Sequence, residues 1–290
     1  GGPQQVPLFS PDGHQIAFVR DNNLFLVKLL FGNSESQVTK DGKFNEILNG
    51  IPDWVYEEEF ATSRSFDFSA DSKMLAWIRS DETQVPIYSM TMYKGMSPTQ
   101  VANDEYPGAY AYKYPVAGAK NSDVKVLTFD ISSRVTREMQ VPLEADGYIP
   151  RIKFTSDPTK LAIVTLNRHQ SVMNIYMGNP KSTVCKLAVQ EKNAEGKYVK
   201  EDAYASLTFY EGGFAMVSDR TDFRHIYLYN LNGQLLRQVT KGEFDVCNFY
   251  GYDDKTGKTY YASHEESPLR KAIYVTDKKG NTKKLSTKVG

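Results

Sequence analysis

One repeated module constrains this 290-residue chain more than any other feature. It consists of a Phe, a short turn rich in Asp, Gly, Ser or Pro, an apolar strand, a polar turn and a second strand carrying an aromatic. Five copies are legible. The first is Phe9-Ser10-Pro11-Asp12-Gly13 followed by Ile16 to Val19, then Asn22-Asn23 and Leu24 to Leu29. The second runs from Phe68-Ser69-Ala70-Asp71 through Leu75 to Ile78, with Ile87 to Met92 as its answering strand. Phe154-Thr155-Ser156-Asp157-Pro158 opens the third, with Leu161 to Leu166 and Asn174 to Met177. Phe209 opens the fourth, with Phe214 to Val217 and His225 to Tyr229, and Phe249 opens the fifth, with Thr259 to Ala262 and Ala272 to Val275.

These phenylalanines are 59, 86, 55 and 40 residues apart, and the shorter spacings approach the roughly 40 to 50 residues of a four-stranded propeller blade. Alternating strands with frequent turns and almost no helical periodicity predict an all-β chain, and one repeated module favours a β-propeller over a sandwich. Blade-like repeats are expected at about 6–48, 49–142, 148–190, 203–240 and 243–287 of a single partial propeller domain, 1–290. Asn232-Gly233 reads as a two-residue hairpin turn of type I′, which needs positive φ at both centres.

Composition removes several function classes. Lys+Arg and Asp+Glu balance at 35 each, so no global field attracts nucleic acid or an anionic membrane. No apolar run approaches the roughly 20 residues of a membrane span. Gly1-Gly2 reads as a cut site or expression scar left after removal of a targeting segment. Cys185 and Cys247 are too few for a disulfide framework and are expected as buried free thiols.

Asp53-Trp54-Val55-Tyr56-Glu57-Glu58-Glu59-Phe60 crowds three carboxylates behind two large aromatics, between a Gly-Ile-Pro turn and a new strand. On charge alone, such a run reads as a solvated face or as the first turn of a helix, where carboxylates complement the macrodipole. A cationic ligand would also suit it. A free peptide amino terminus, with a pKa of about 8, stays largely protonated at neutral pH.

Ile51-Pro52-Asp53-Trp54-Val55-Tyr56-Glu57-Glu58-Glu59-Phe60 resembles the double-glutamate motif of the dipeptidyl peptidase IV family, serine peptidases of family S9B. Thr83-Gln84-Val85-Pro86-Ile87-Tyr88, Tyr114-Pro115-Val116-Ala117-Gly118-Ala119 and Phe223-Arg224-His225-Ile226-Tyr227 are similar to segments that follow it in that family. The resemblance implies an eight-bladed propeller over an α/β-hydrolase domain, of which this chain would supply about five blades and one short helical insertion. It implies that Glu58 and Glu59 hold the substrate's free amino terminus, with Glu57, Tyr56 and Trp54 in support. A catalytic Ser, Asp and His on the hydrolase domain would then release an Xaa-Pro or Xaa-Ala dipeptide. It also implies a periplasmic, extracellular or cell-surface setting.

The chemistry of such an anchor follows from first principles. Charge-assisted hydrogen bonds to two carboxylates are each worth about 1.5 to 3 kcal/mol. Two extended residues span at most about 7 Å, so a fixed anchor acts as a ruler, and a blocked or longer amino terminus misses the register.

The catalytic groups themselves are not expected here. No Gly-x-Ser-x-Gly elbow occurs, and His14, His169, His225 and His264 read as structural. His264-Glu265-Glu266 is no zincin signature, because position 268 is Pro where a second His is required, and neither a metal nor a cofactor is expected. The family's substrate-binding arginine falls outside these residues. The fragment alone is therefore expected to be inactive, with the C-terminal hydrolase domain of the parent chain and a peptide substrate as partners. Residues 91–121, rich in Tyr, Met, Pro and Gly, fit a blade poorly and resemble the arm through which family members dimerise, so a homodimer is expected. The alternative is a free-standing propeller that serves as a binding scaffold, because the Phe-Ser-Pro-Asp-Gly turn alone is simply good turn chemistry.

Overall fold

The computed structural model describes residues 2–30, 32–93, 106–193 and 196–287. The chain is all-β, a propeller fold built from four-stranded antiparallel blades. It forms two compact units, Gly1–Phe66 with Trp77–Leu127, and Asp67–Ala76 with Thr128–Gly290.

The first blade is β1 (Gln5–Phe9), β2 (Gln15–Arg20), β3 (Asn23–Lys28) and β4 (Ser34–Gln37), paired in sequence order. The second is interrupted twice. Its strands are β5 (Ile47–Asn49), β6 (Phe66–Phe68), β7 (Met74–Asp81), β10 (Asp123–Asp130) and β11 (Val135–Glu138), ordered β11-β10-β7-β5 with β6 also on β7. Helix α1 (Trp54–Glu58) lies between β5 and β6, and the hairpin β8 (Ile87–Met92) with β9 (Gly108–Lys113) lies between β7 and β10. The remaining blades are regular. They are β12 (Tyr148–Phe154) to β15 (Cys185–Lys192) around β13 (Leu161–Leu166) and β14 (Val172–Gly178), then β16 (Thr208–Tyr210), β17 (Gly213–Ser218), β18 (His225–Asn230) and β19 (Leu235–Gln238). The last is β20 (Val246–Asp253), β21 (Lys258–Ser267), β22 (Arg270–Thr276) and β23 (Thr282–Lys284).

The repeated turn has a shared hydrogen-bond logic. Ser10 Oγ donates to Asp12 Oδ1 at 2.6 Å and accepts from Gln15 N at 3.0 Å. Ser69 repeats this with Asp71 (2.7 Å) and Met74 N (2.9 Å). Each side chain satisfies backbone groups that the first hairpin turn would otherwise bury unpaired, which is why the module recurs with Ser and Asp at the same offsets. In the third and fourth blades the second strand is largely apolar because both faces are covered; every residue of β13 and of β17 is buried. In the second unit, Ala215, Val217, Ile226 and Leu228 pack with Val246, Tyr261 and Tyr274 of the last blade.

Several expectations are corrected. Ile87–Met92 is not the partner of β7. It pairs residue for residue with β9, from Ile87↔Lys113 to Met92↔Gly108, and five of its six residues are exposed, so it lacks the buried face that a blade strand needs. The partner of β7 is β10, and the arm therefore begins before residue 91; its stretch 94–105 lies outside the described residues. At Asn232-Gly233 only Gly233 takes positive φ (+83°), and Gly233 N donates to Asn230 O at 3.0 Å, so the turn is not type I′. A second short helix, α2 (Asp202–Ala205), also escaped the strand periodicity. Cys185 and Cys247 are free but half-buried rather than buried, and burial pushes the Cys185 thiol up to about 11. Among the described residues no helix is long and apolar enough to cross a membrane.

Candidate functional site

The carboxylate run leaves the second blade at a defined point. Gly50 N donates to Ile78 O at 3.1 Å, and Ile78 N donates to Ser65 O at 2.8 Å. The N–H and C=O of one strand residue face the same side, so Gly50 and Ser65 occupy the same edge of β7. Ser65 N closes the loop on Gly50 O at 2.9 Å. The inner strand is thus opened between β5 and β6, and the residues between this clamp are expelled as a loop that carries α1. Just before the exit, Asn49 is pinned: its Oδ1 accepts from Trp77 Nε1 (3.1 Å) and its Nδ2 donates to Asp41 Oδ1 (3.0 Å). Gly50 takes φ +77°, and a Cβ there would lie 3.1 Å from Phe66 Cδ1 and 3.3 Å from Leu24 Cδ1 and Val19 Cγ2. The turn requires glycine on both counts.

Helix α1 starts at Asp53, whose Oδ1 accepts from Tyr56 N at 3.0 Å. Its other oxygen, Oδ2, accepts from Ser122 Oγ at 2.5 Å. Ser122 belongs to the segment that returns from β9 to β10. Tyr56 and Phe60 form the buried face, four residues apart, and their rings meet edge-on at 5.3 Å. Ala61 adopts φ +47° as the chain turns back, and Thr62 N donates to Tyr56 O at 3.0 Å. With Tyr56 and Phe60 inward, Glu57, Glu58 and Glu59 are all exposed. Among the described residues no lysine or arginine pairs with them. Trp54 is half-buried against Tyr114, ring centroids 4.3 Å apart, and Tyr114 N donates to Pro86 O at 3.0 Å across the base of the arm.

The structure therefore places the five motif residues in two roles. Glu57, Glu58 and Glu59 reach solvent together, while Tyr56 and Trp54 hold the segment from beneath. Sequence reasoning named Tyr56 and Trp54 as supports but missed Asp53 and Ser122, which fasten the helix to the rest of the blade. Asp53 carried a legible signal, since Asp directly before a helical turn is a preferred N-cap. Ser122 and Glu82 carried none, because their roles depend on contacts across dozens of residues, and Tyr114 stood out only within the family-like segment Tyr114 to Ala119.

Beneath the helix the electrostatics are acidic. Burial pushes the Asp53 carboxyl up, against the hydrogen bonds from Ser122 and the backbone. Glu82, 5% exposed, is pushed up to about 7, first by burial and then by the Asp53 charge; Lys113 opposes this. Lys113 Nζ donates to the carbonyls of Val85 (2.7 Å) and Thr83 (3.1 Å), tying β9 to the segment after β7. His225, by contrast, is a core residue. It is 2% exposed, with Nδ1 on Thr240 Oγ1 and Nε2 on Gly242 O, both at 3.0 Å, and burial lowers its pKa.

Comparison with known proteins gives a consistent result. The family model described as "Dipeptidyl peptidase IV (DPP IV) N-terminal region" matches residues 1–290. The crystal structure of Porphyromonas gingivalis dipeptidyl peptidase 4 superposes with a TM-score of 0.93 at 47% identity, covering 100% of this chain and 40% of that one. A probable dipeptidyl-aminopeptidase B of Aspergillus niger is 30% identical over 99% of this chain and 33% of its own length. Prolyl endopeptidase FAP of Homo sapiens is 27% identical over 94% of this chain and 36% of its own. The chain spans about a third of the length of these curated relatives.

Proposed function

Because the chain belongs to the dipeptidyl peptidase IV family, as its N-terminal region, we propose that it gates and anchors substrate for a serine exopeptidase releasing N-terminal Xaa-Pro or Xaa-Ala dipeptides. Glu58 and Glu59 bind the protonated amino terminus of the peptide, with Glu57, Tyr56 and Trp54 in support. The observation that carries this reading is the expelled helix itself: a blade strand is broken to display three adjacent carboxylates, exposed and without a cationic partner among the described residues. A stretch serving only stability would not need them unpaired. Like charges side by side disfavour one another, and a bound ammonium relieves that repulsion.

Bond cleavage belongs to a C-terminal α/β-hydrolase domain of the parent chain, and the fragment by itself is inactive. The anchor contributes geometry. It fixes the amino terminus about two residues from the nucleophile, so binding energy from a non-reacting group is converted into alignment at the scissile bond. The arm supplies a homodimer contact, and the setting is periplasmic or extracellular.

The test is hydrolysis of a chromogenic Xaa-Pro substrate by the full-length parent protein, with a free and with an acetylated amino terminus. Cleavage of the free form alone is expected. Cleavage of both forms refutes the anchor, and cleavage of neither favours a binding scaffold without peptidase activity.

A further inference from the structure

We propose that Ser122 is a positioning residue for the Glu58 and Glu59 carboxylates, acting through Asp53 to lock the arm's return segment to the helix; this rests on the anchor reading above. Asp53 spends one oxygen on each side of the joint. Oδ1 takes the Tyr56 amide of the first helical turn, and Oδ2 takes the Ser122 hydroxyl from 69 residues further along the chain. Both residues are buried, Asp53 at 7% and Ser122 at 6% exposure. An O–H donated to a buried carboxylate is a charge-assisted bond, and it satisfies an oxygen that would otherwise be desolvated without a partner.

The need for such a lock follows from the helix's size. Five residues cannot hold a helix by backbone bonding alone, so tertiary contacts set its orientation. The Tyr56–Phe60 pair fixes the buried face. Asp53 and Trp54 meet the segment that returns from the arm, through Ser122 and Tyr114 respectively. Together they contribute to the orientation of the helix, and with it to the direction in which Glu58 and Glu59 point. An anchor used as a ruler is sensitive to displacements of about 1 Å, which can cost 10²-fold in rate.

The experiment uses the full-length parent enzyme and a free-amino Xaa-Pro chromogenic substrate. Ser122→Ala is expected to lower kcat/KM about tenfold, the value of one charge-assisted hydrogen bond, and Ser122→Thr, which keeps the hydroxyl, to restore it. Labelling of the nucleophile by a fluorophosphonate, which needs no amino-terminal anchor, stays at the wild-type rate. Amide exchange of residues 54–60 accelerates in the alanine variant alone. Wild-type kcat/KM in Ser122→Ala overturns the inference, and so does a parallel loss of fluorophosphonate labelling, which marks a general folding defect. Glu58→Gln and Glu59→Gln run beside it separate the two readings. If they lower kcat/KM while Ser122→Ala does not, the positioning role alone fails; if they too are silent, the anchor fails with it.

Discussion

Trp54 and Tyr114 meet edge to face with ring centroids 4.3 Å apart, and this contact joins the two insertions of the second blade into one aromatic cluster. Tyr114 in turn lies 5.6 Å from Tyr88 and 6.3 Å from Tyr112, on the two strands of the arm. The helix that displays the carboxylates is therefore braced by the stem of the arm.

A double-mutant cycle measures that brace. Trp54→Ala and Tyr114→Ala are expected to show a coupling energy of about 0.5–1.5 kcal/mol in denaturant unfolding, the usual worth of an edge-to-face pair beyond its buried area. Strictly additive effects would show that the rings are neighbours without mutual stabilisation.

Gly50→Ala is expected to destabilise by about 1–3 kcal/mol. It forces a Cβ into the left-handed region and against Phe66, Leu24 and Val19. An unchanged unfolding midpoint would mean that the exit from the sheet is softer than described.

Much of this was legible from the sequence, and the boundary is physical. The blades could be read because Ser10 and Ser69 build the same local hydrogen bonds at the same offsets, and because β13 and β17 are largely apolar and buried throughout. The carboxylates could be read because they are consecutive. The arm's first strand could not, since Ile87–Met92 has strand-forming residues but pairs far along the chain, and only the register reveals that its faces are exposed. Ser122 and Glu82 gave no local signal for the same reason. Their importance lies in what faces them.

Glu82 predicts a pH dependence. Its folded pKa of about 7 exceeds the ordinary 4.5, with Asp53 and Asp81 raising it after burial and Lys113 lowering it. Between those values the folded chain keeps a proton that the unfolded chain has released. Stability is therefore fullest below about 4.5 on this account and declines as pH rises through about 7; the upward shift of Asp53 has the same sign. Thermal melts of Glu82→Gln are expected to flatten the profile between pH 5 and 8 and to raise Tm at pH 8. A variant whose profile parallels the wild type would contradict the assignment.

The arm exposes Ile87, Tyr88 and Tyr106 at 61%, 50% and 74%. Exposed large apolar and aromatic side chains of this kind suit an interface core. Replacing the three with Ser in the full-length protein is expected to weaken homodimerisation in sedimentation equilibrium at least tenfold. An unchanged association constant would remove the arm from the interface.

Whether Glu58 and Glu59 hold the substrate's amino terminus is decided by kcat/KM for a free-amino Xaa-Pro substrate in Glu58→Gln, Glu59→Gln and wild-type full-length enzyme. Each variant is expected to lose at least tenfold, matching about 1.5–3 kcal/mol for a hydrogen bond to a charged group, with fluorophosphonate labelling and Tm unchanged. Wild-type kcat/KM in either variant would contradict that residue's role as an anchor.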